Sequence, residues 1–384
     1  MIRQIARGAR QFLQKWGKSS VVYNVNHDDE TNVKKRALFI YMVLPFQLKK
    51  SSKYFLYHQN LKQSIQIARI VGSYGYIVDV ADVSDATIQT PYEYDLIISH
   101  KIDLDISTIQ HKDSSKYIYL SSGLNHKAYN RNLKKRLEAF TARRNCILHI
   151  EWQTEHMQFL TSANAIVGFG NHHTLLSWRE SFQGPIYTFN NYSFHVNRSI
   201  KINHSTAKRK FLFFSGRRQL VKGLDLLLEV FSRQKDLELF ICGPIIEEKD
   251  FCDCYHHELF ETPNIHVLGW VHIHTATYKD VIQTCTYIIQ PSCSEGQIGS
   301  VIQCMRDGII PIVTKECGID MEHFGITLPS DSIEDIGKTV VKLSTMSDEW
   351  CQEHHTATKE VSLTKYSEEA FQKRWREILS TIDI

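Results

Sequence analysis

From Ala37 onward, short apolar runs alternate with helix-patterned stretches; the alternation stops in a polar stretch at 191–209 and restarts at Phe211. No other feature restricts the fold as much. A strand, a helix and a second strand in one sheet cross over right-handed, so repeated alternation builds a parallel, doubly wound sheet. Two series imply two sheets. In the first, the strand candidates are Ala37 to Leu44, Tyr76 to Val80, Leu96 to Ser99, Tyr117 to Leu120, Ala165 to Val167 and Pro185 to Phe189. Leu61 to Val71 carries helical periodicity, and Gly72 to Gly75 turns the chain. In the second, they are Phe211 to Phe214, Leu237 to Cys242, His266 to Leu268, Tyr287 to Gln290 and Ile309 to Val313. A chain of 384 residues exceeds what a single core holds, which agrees with domains at 35–200 and 205–362. Residues 363–384 place Phe371, Trp375 and Leu379 four apart, with Ile378 and Ile382 alongside, as an amphipathic terminal helix.

Residues 1–34 form a separate unit. Ile2, Ile5, Ala6, Ala9, Phe12, Leu13 and Trp16 recur at helical spacing, Arg3, Arg7, Arg10, Lys15 and Lys18 take the other face, and no acidic residue precedes Asp28. A basic amphipathic helix over residues 1–20 suits an anionic membrane surface. A helix docked on the body and an Arg-rich transit peptide have the same pattern. Residues 17–35 read as a polar linker. A net charge of +3 without a basic, aromatic-interleaved stripe argues against nucleic acid as a partner. No apolar run reaches the ~18 residues that span a bilayer, and no secretory signal is apparent. Nine scattered cysteines read as reduced thiols. The expected location is the cytoplasm, peripheral to the inner face of the membrane.

Two turns carry the chemistry. The strand Phe211 to Phe214 runs into Ser215-Gly216-Arg217-Arg218-Gln219-Leu220-Val221-Lys222-Gly223 and then a helix. Backbone N–H groups and the dipole at a helix start favour an anion, and Arg217 and Lys222 supply charge to neutralise a diphosphate. The second turn, Pro291-Ser292-Cys293-Ser294-Glu295-Gly296-Gln297-Ile298-Gly299-Ser300-Val301, also follows a buried strand and opens a helix over Ser300 to Gly308. Its glycines admit close backbone approach, and Glu295 suits hydrogen bonding to sugar hydroxyls, since one carboxylate accepts from two. A plain helix cap accounts for the second turn taken alone. Together the two turns indicate a second, Rossmann-like unit with its ligand at the carboxyl ends of the strands.

These turns, with Cys242-Gly243-Pro244 and Leu268-Gly269-Trp270-Val271 between them, resemble the C-terminal half of the family 4 (group 1) retaining glycosyltransferases. The resemblance covers 211–320 through five motif blocks in order; over 35–200 it rests on the alternation. It implies the GT-B fold: two Rossmann-like domains with parallel sheets facing a central cleft, and a C-terminal helix crossing back to the N-terminal domain. It assigns Gly216, Arg217 and Lys222 to the diphosphate of a nucleotide-sugar donor and Glu295 to the transferred sugar. Gly296, Gln297, Ile298 and Gly299 meet the sugar, and the Ser300 and Val301 amides meet a phosphate. Gly243, Trp270 and Val271 lie along the nucleoside. The family pattern has a second Glu eight positions after the first, on the ribose; here that position is Gln303, whose amide can still bond hydroxyls.

Arg217, Lys222 and the helix start are then placed to stabilise the leaving diphosphate, with no metal or other cofactor required and, by resemblance, retained configuration. Arg218 and Lys208-Arg209-Lys210 add local positive potential. The N-terminal half is expected to bind a glycan or lipid-linked acceptor, as in polysaccharide or glycolipid assembly. His126, in the loop after Tyr117 to Leu120, is the candidate histidine near the donor sugar, with His100 as its rival. The family's glycine pair after the first strand is replaced by Pro45-Phe46-Gln47-Leu48-Lys49-Lys50; Tyr54, Phe55 and His58 follow, with apolar packing as their expected use. Cys252-Asp253-Cys254-Tyr255-His256-His257 lacks zinc-ribbon spacing and is not read as a metal site. A GT-B-type nucleotide-sugar epimerase and a non-catalytic nucleotide-sugar or glycan-binding protein are the alternative readings.

Overall fold

The structure, a computed structural model, describes residues 20–26, 35–49, 52, 55, 59–194 and 200–384. The basic helix expected over 1–20, Tyr54 and His58 lie outside the described residues, apart from Ser20.

The first sheet holds β1 (Val21–Val22), β2 (Lys35–Tyr41), β3 (Tyr76–Asp82), β4 (Tyr94–Ser99), β5 (His111–Ser121), β6 (Ala165–Phe169) and β7 (Ile186–Phe189). Their spatial order is β1-β3-β2-β4-β5-β6-β7. All pairs are parallel except β1 with β3, so the sheet is mixed and not purely parallel. β1 falls inside the stretch read as linker: Val21 and Val22 pair with Ala81 and Val80, and Val25 N–H donates to Val78 O.

The second sheet holds β8 (Lys210–Phe214), β9 (Glu238–Cys242), β10 (Ile265–Gly269), β11 (Tyr287–Gln290), β12 (Ile310–Val313) and β13 (Ile326–Thr327). It is all parallel, in the order β10-β9-β8-β11-β12-β13. The order reverses between β8 and β11, and a ligand of such a sheet sits at the carboxyl ends beside that switch point.

Both sheets are buried on both faces, which is why their strands read as continuous apolar runs. Within each run the period of two still sorts side chains. Phe211 and Phe213 enter one core and Leu212 the other; Phe39 and Tyr41 enter one core and Leu38 and Ile40 the other.

Six helices matter for the site: α1 (Gln59–Gly72), α2 (His126–Arg143), α3 (Gln219–Lys222), α4 (Leu224–Phe231), α5 (Gly299–Met305) and α6 (Glu368–Ile382). The terminal helix α6 begins at Ser367, whose side chain accepts from Ala370 N–H, and carries Glu368 and Glu369 in its first turn, a favourable start for the dipole. Its apolar stripe, Phe371, Trp375, Ile378 and Leu379, is buried in the N-terminal domain's core. The chain thus crosses back. Helix α2 does the reverse. It is the crossover between β5 and β6, yet Tyr129, Leu133 and Phe140 are buried in the core of the C-terminal domain. The carboxyl ends of β5 and β11 meet where the domains face each other: a Cβ added to Gly296 would stand 2.2 Å from Ser122 O and 2.7 Å from Gly123 Cα.

Candidate active site

Strands β8 and β11 are neighbours, with Phe211 beside Tyr287 and Leu212 beside Ile288, so the turns that follow them emerge side by side. Backbone groups then join the turns. Cys293 N–H donates to Val221 O at 2.9 Å, and Gln290 Nε2 donates to Lys222 O at 2.9 Å. Gly223 ends α3 with φ +79°, and a Cβ there would lie 2.3 Å from Pro291 O. Only glycine combines that left-handed backbone with so close an approach.

The two turns deliver Lys222 and Glu295 to one another. Their side chains form a direct ion pair, 9% and 16% exposed respectively, with Ser292 Oγ 3.5 Å from the same carboxylate oxygen. Arg217 sits on the outer side of the first turn, 52% exposed and paired with Glu247. The first turn already holds an anion of its own. The Glu248 carboxylate accepts from the N–H groups of Arg218 and Gln219; burial raises its pKa, and these amide bonds oppose that rise. Arg218 takes a left-handed backbone (φ +73°), unusual for a residue with a Cβ. Its guanidinium lies 3.3 Å from Tyr129 Oη and 3.4 Å from Glu151. Around the junction, Ser215 Oγ, Gln219 Oε1, Gln290 Oε1, Ser294 Oγ and Gln59 Nε2 are buried without a hydrogen-bond partner in the protein. Buried polar atoms in that state call for a polar ligand or water.

The N-terminal domain contributes through α2. Asn132 Nδ2 donates to Cys293 O at 3.0 Å. Arg136, fully buried, donates to Leu220 O (3.3 Å) and Pro291 O (2.9 Å), and lies 3.5 Å from Asp225 and 2.8 Å from Asp331. One guanidinium therefore ties the first turn, the second turn and the other domain together. Burial, with the charge of Glu295 nearby, pushes the Tyr129 phenol up to about 12, against the pull of Arg218. None of these α2 residues was singled out in the sequence. The signal was present: Tyr129, Leu133, Arg136 and Phe140 form one helical stripe, diluted by the Lys and Arg residues around it.

The remaining expected site residues divide. Gly216 O accepts from Gln219 Nε2. Gly243, with φ +154°, donates to Gly269 O, and a Cβ on it would meet Ser215 O at 2.5 Å. Val271 and Ile298 are buried in the apolar core, as is Val301, whereas Trp270 is 53% exposed and donates to His272. Ile302 N–H is bonded to Ile298 O, so Gly299, Ser300 and Val301 are the first-turn donors of α5. Gln297 is spent structurally: it accepts from Asn191 N–H and donates to Asn190 Oδ1 and Gly318 O. So is Gln303. Its Oε1 accepts from Phe194 N–H at 2.7 Å, and its Nε2 points to Phe194 O at 3.5 Å. Instead of facing a ribose, Gln303 pins the interdomain connection, a job that needs donor and acceptor on one side chain and that Glu cannot do.

His126 Nδ1 lies 2.6 Å from Thr154 O. His100 Nδ1 lies 2.7 Å from Leu120 O, with its Nε2 3.5 Å from Ser122 Oγ, beside the loop that meets Gly296. Phe55 packs on the N-terminal core. His256 and His257 both lie against Glu261, and Cys252 Sγ against Ile245 O, so that cluster does not converge. Among the described residues no group of three or more His, Cys, Asp or Glu side chains is disposed to hold a metal ion, and no helix is long and apolar enough to cross a membrane.

Two Rossmann-like domains face each other across paired turns and a terminal helix returns to the first; this defines the GT-B class of fold. Residues 196–348 match the family described as glycosyl transferases group 1. Solved structures agree on the fold. Sucrose-phosphate synthase from Thermosynechococcus elongatus is 11% identical with a TM-score of 0.63, covering 91% of this chain and 99% of that one. HepE from Anabaena, in complex with UDP and glucose, is 11% identical with a TM-score of 0.57, covering 90% and 100%. A variant of TarM from S. aureus, in complex with fondaparinux, alpha-GlcNAc-glycerol and UDP, is 15% identical with a TM-score of 0.52; it covers 75% of this chain, which spans 55% of the TarM chain. At these identities the likeness is one of fold. No curated protein matches the chain.

Proposed function

We propose that this chain transfers a sugar from a nucleotide-diphosphate donor to an acceptor hydroxyl, with retention and without a metal, in polysaccharide or glycolipid assembly at the cytoplasmic face of a membrane. The observation that carries the reading is the Lys222–Glu295 pair at two backbone-linked turns. The orphaned polar atoms around it and the UDP and sugar complexes of the structural neighbours support it.

Breaking the anomeric bond puts negative charge on the departing diphosphate and positive character on the sugar ring. Lys222 neutralises the leaving group, and Arg217 joins it by exchanging Glu247 for phosphate. The first-turn amides of α5 supply further donors, since those of Arg218 and Gln219 are occupied by Glu248. Donor binding also frees Glu295 from Lys222 to accept from sugar hydroxyls. His126 or His100 serves the sugar from the other domain.

Lys222→Ala tests this. Sugar release or transfer from UDP-, GDP- and ADP-sugars, per folded molecule, should fall by about 10²–10³, as for loss of one charge-stabilising group. Wild-type turnover in that variant would overturn the assignment.

A further inference from the structure

Residues 144–150 leave α2 as an extended run that belongs by sequence to the N-terminal domain and yet lies on the C-terminal one. Exposure alternates along it with the period of a strand: Arg144, Cys146, Leu148 and Ile150 are half-buried, whereas Asn145, Ile147 and His149 are exposed. Cys146, Leu148 and Ile150 pack on the C-terminal core, and so do Cys252 and Cys254 of the short helix Lys249–Cys254.

Contacts at both ends fix how the run lies on that helix. Arg144 pairs with Glu258, and its guanidinium stands 4.5 Å from the centre of the Tyr255 ring. At the other end, His149 N–H donates to Asp250 at 2.5 Å. The run is therefore antiparallel to the helix, and the register between these anchors brings Cys146 to Cys254. Their thiols are hydrogen-bonded to each other. The other cysteines do not compete. Six are buried, and Cys252 Sγ is turned to Ile245 O. Two positions apart on one helix, Cys252 and Cys254 do not face each other.

We propose that Cys146 and Cys254 are a redox-modification site, closing a reversible disulfide that fastens the two domains together. The reaction is exchange with a low-molecular-weight disulfide. Cys146 as thiolate attacks one sulfur of that oxidant, forming a mixed disulfide and releasing the first small thiol. Cys254 then gives up its proton and attacks the Cys146 sulfur, which closes the protein disulfide and releases the second. The two electrons and two protons lost by the protein end on the oxidant. Burial, together with the neighbouring Cys146, pushes the Cys254 thiol up to about 12, against the pull of Arg144. A thiol held protonated in this way is a poor first nucleophile, so Cys254 is the resolving one. In a reducing compartment such a bond is transient and senses oxidant. It joins two pieces of chain whose near ends flank the first turn, where Glu151 pairs with Arg218 and Glu247 with Arg217. The bond is independent of the sugar-transfer reaction proposed above.

The test incubates the full chain with oxidised glutathione, blocks the remaining thiols with iodoacetamide and maps the peptides by mass spectrometry. Expected is a cross-linked pair of peptides carrying Cys146 and Cys254, reversed by dithiothreitol. The closed loop is about a hundred residues long, so the thermal midpoint should rise by about 5 °C or more on oxidation. Cys146→Ser and, separately, Cys254→Ser should abolish both effects and Cys252→Ser neither, with reduced-state midpoints within about 2 °C of wild type certifying the fold. Should a variant not fold, the wild-type peptide map still decides. Glutathione adducts on Cys146 or Cys254 without a cross-link, a bond to Cys252 instead, or an oxidised midpoint no higher than the reduced one would overturn the site.

Discussion

Each domain lends the other a helix, and the two loans are made in different currencies. Helix α6 enters the N-terminal core through Phe371, Trp375, Ile378 and Leu379, with the Trp375 ring 5.0 Å from that of Phe189. Helix α2 enters the C-terminal core with an apolar stripe as well, but its arginines dominate the contact: Arg136 and Arg143 on the buried Asp225, at 3.5 and 2.7 Å, and Arg143 on Glu229 at 3.1 Å. Apolar burial is strong and non-directional, which suits cohesion far from the site. Charge-assisted hydrogen bonds add little net stability when buried yet fix positions, which suits a helix that holds the two turns in register.

Arg136→Met should break this contrast most severely. It removes one of the two guanidinium partners of the buried Asp225 and releases the Leu220 and Pro291 carbonyls. We expect a loss of about 3–5 kcal/mol in denaturant unfolding, and donor turnover per folded molecule down about 100-fold, with Arg136→Lys in between. Full turnover in the folded fraction would reduce α2 to a structural helix. Trp375→Ala should cost a similar ~3–5 kcal/mol through the cavity it leaves but spare turnover per folded molecule; a matching loss of turnover would mean that α6 also shapes the site. The smallest effect is expected from Gln303→Glu, about 1–3 kcal/mol for a buried carboxylate facing the Phe194 carbonyl. If that change instead raised nucleotide affinity, ribose binding at this position would be recovered at the expense of the interdomain tie.

Much of this architecture is legible in the chain. The apolar runs at Phe211 to Phe214 and Tyr287 to Gln290 read as strands because both sheet faces are covered, and glycine, proline and charge at their ends mark the turns. Val21–Val22 and Ile326–Thr327 escape such a reading because two residues carry no period; they exist as strands only through the neighbours they pair with. Lys222 and Glu295 were identifiable from residue type and position. Glu248 was not, since nothing local distinguishes a carboxylate that caps a distant turn from one in solvent. Gln303 misled for the same reason: an amide suits a ribose and a backbone equally, and the choice belongs to the partner.

Composition and periodicity by themselves determined two doubly wound sheets, the turns that end β8 and β11, and the amphipathic terminal helix, because each is written within a window of a few to some twenty residues. Which domain α2 and α6 pack on, which carboxylate occupies the first-turn amides, and that Arg136 joins both turns were decided only by the tertiary structure. Gln219 and Glu248 lie 29 residues apart, and Arg136 and Pro291 155 apart. Over such separations the physical cause is the packing of one surface on another, and no local pattern records it.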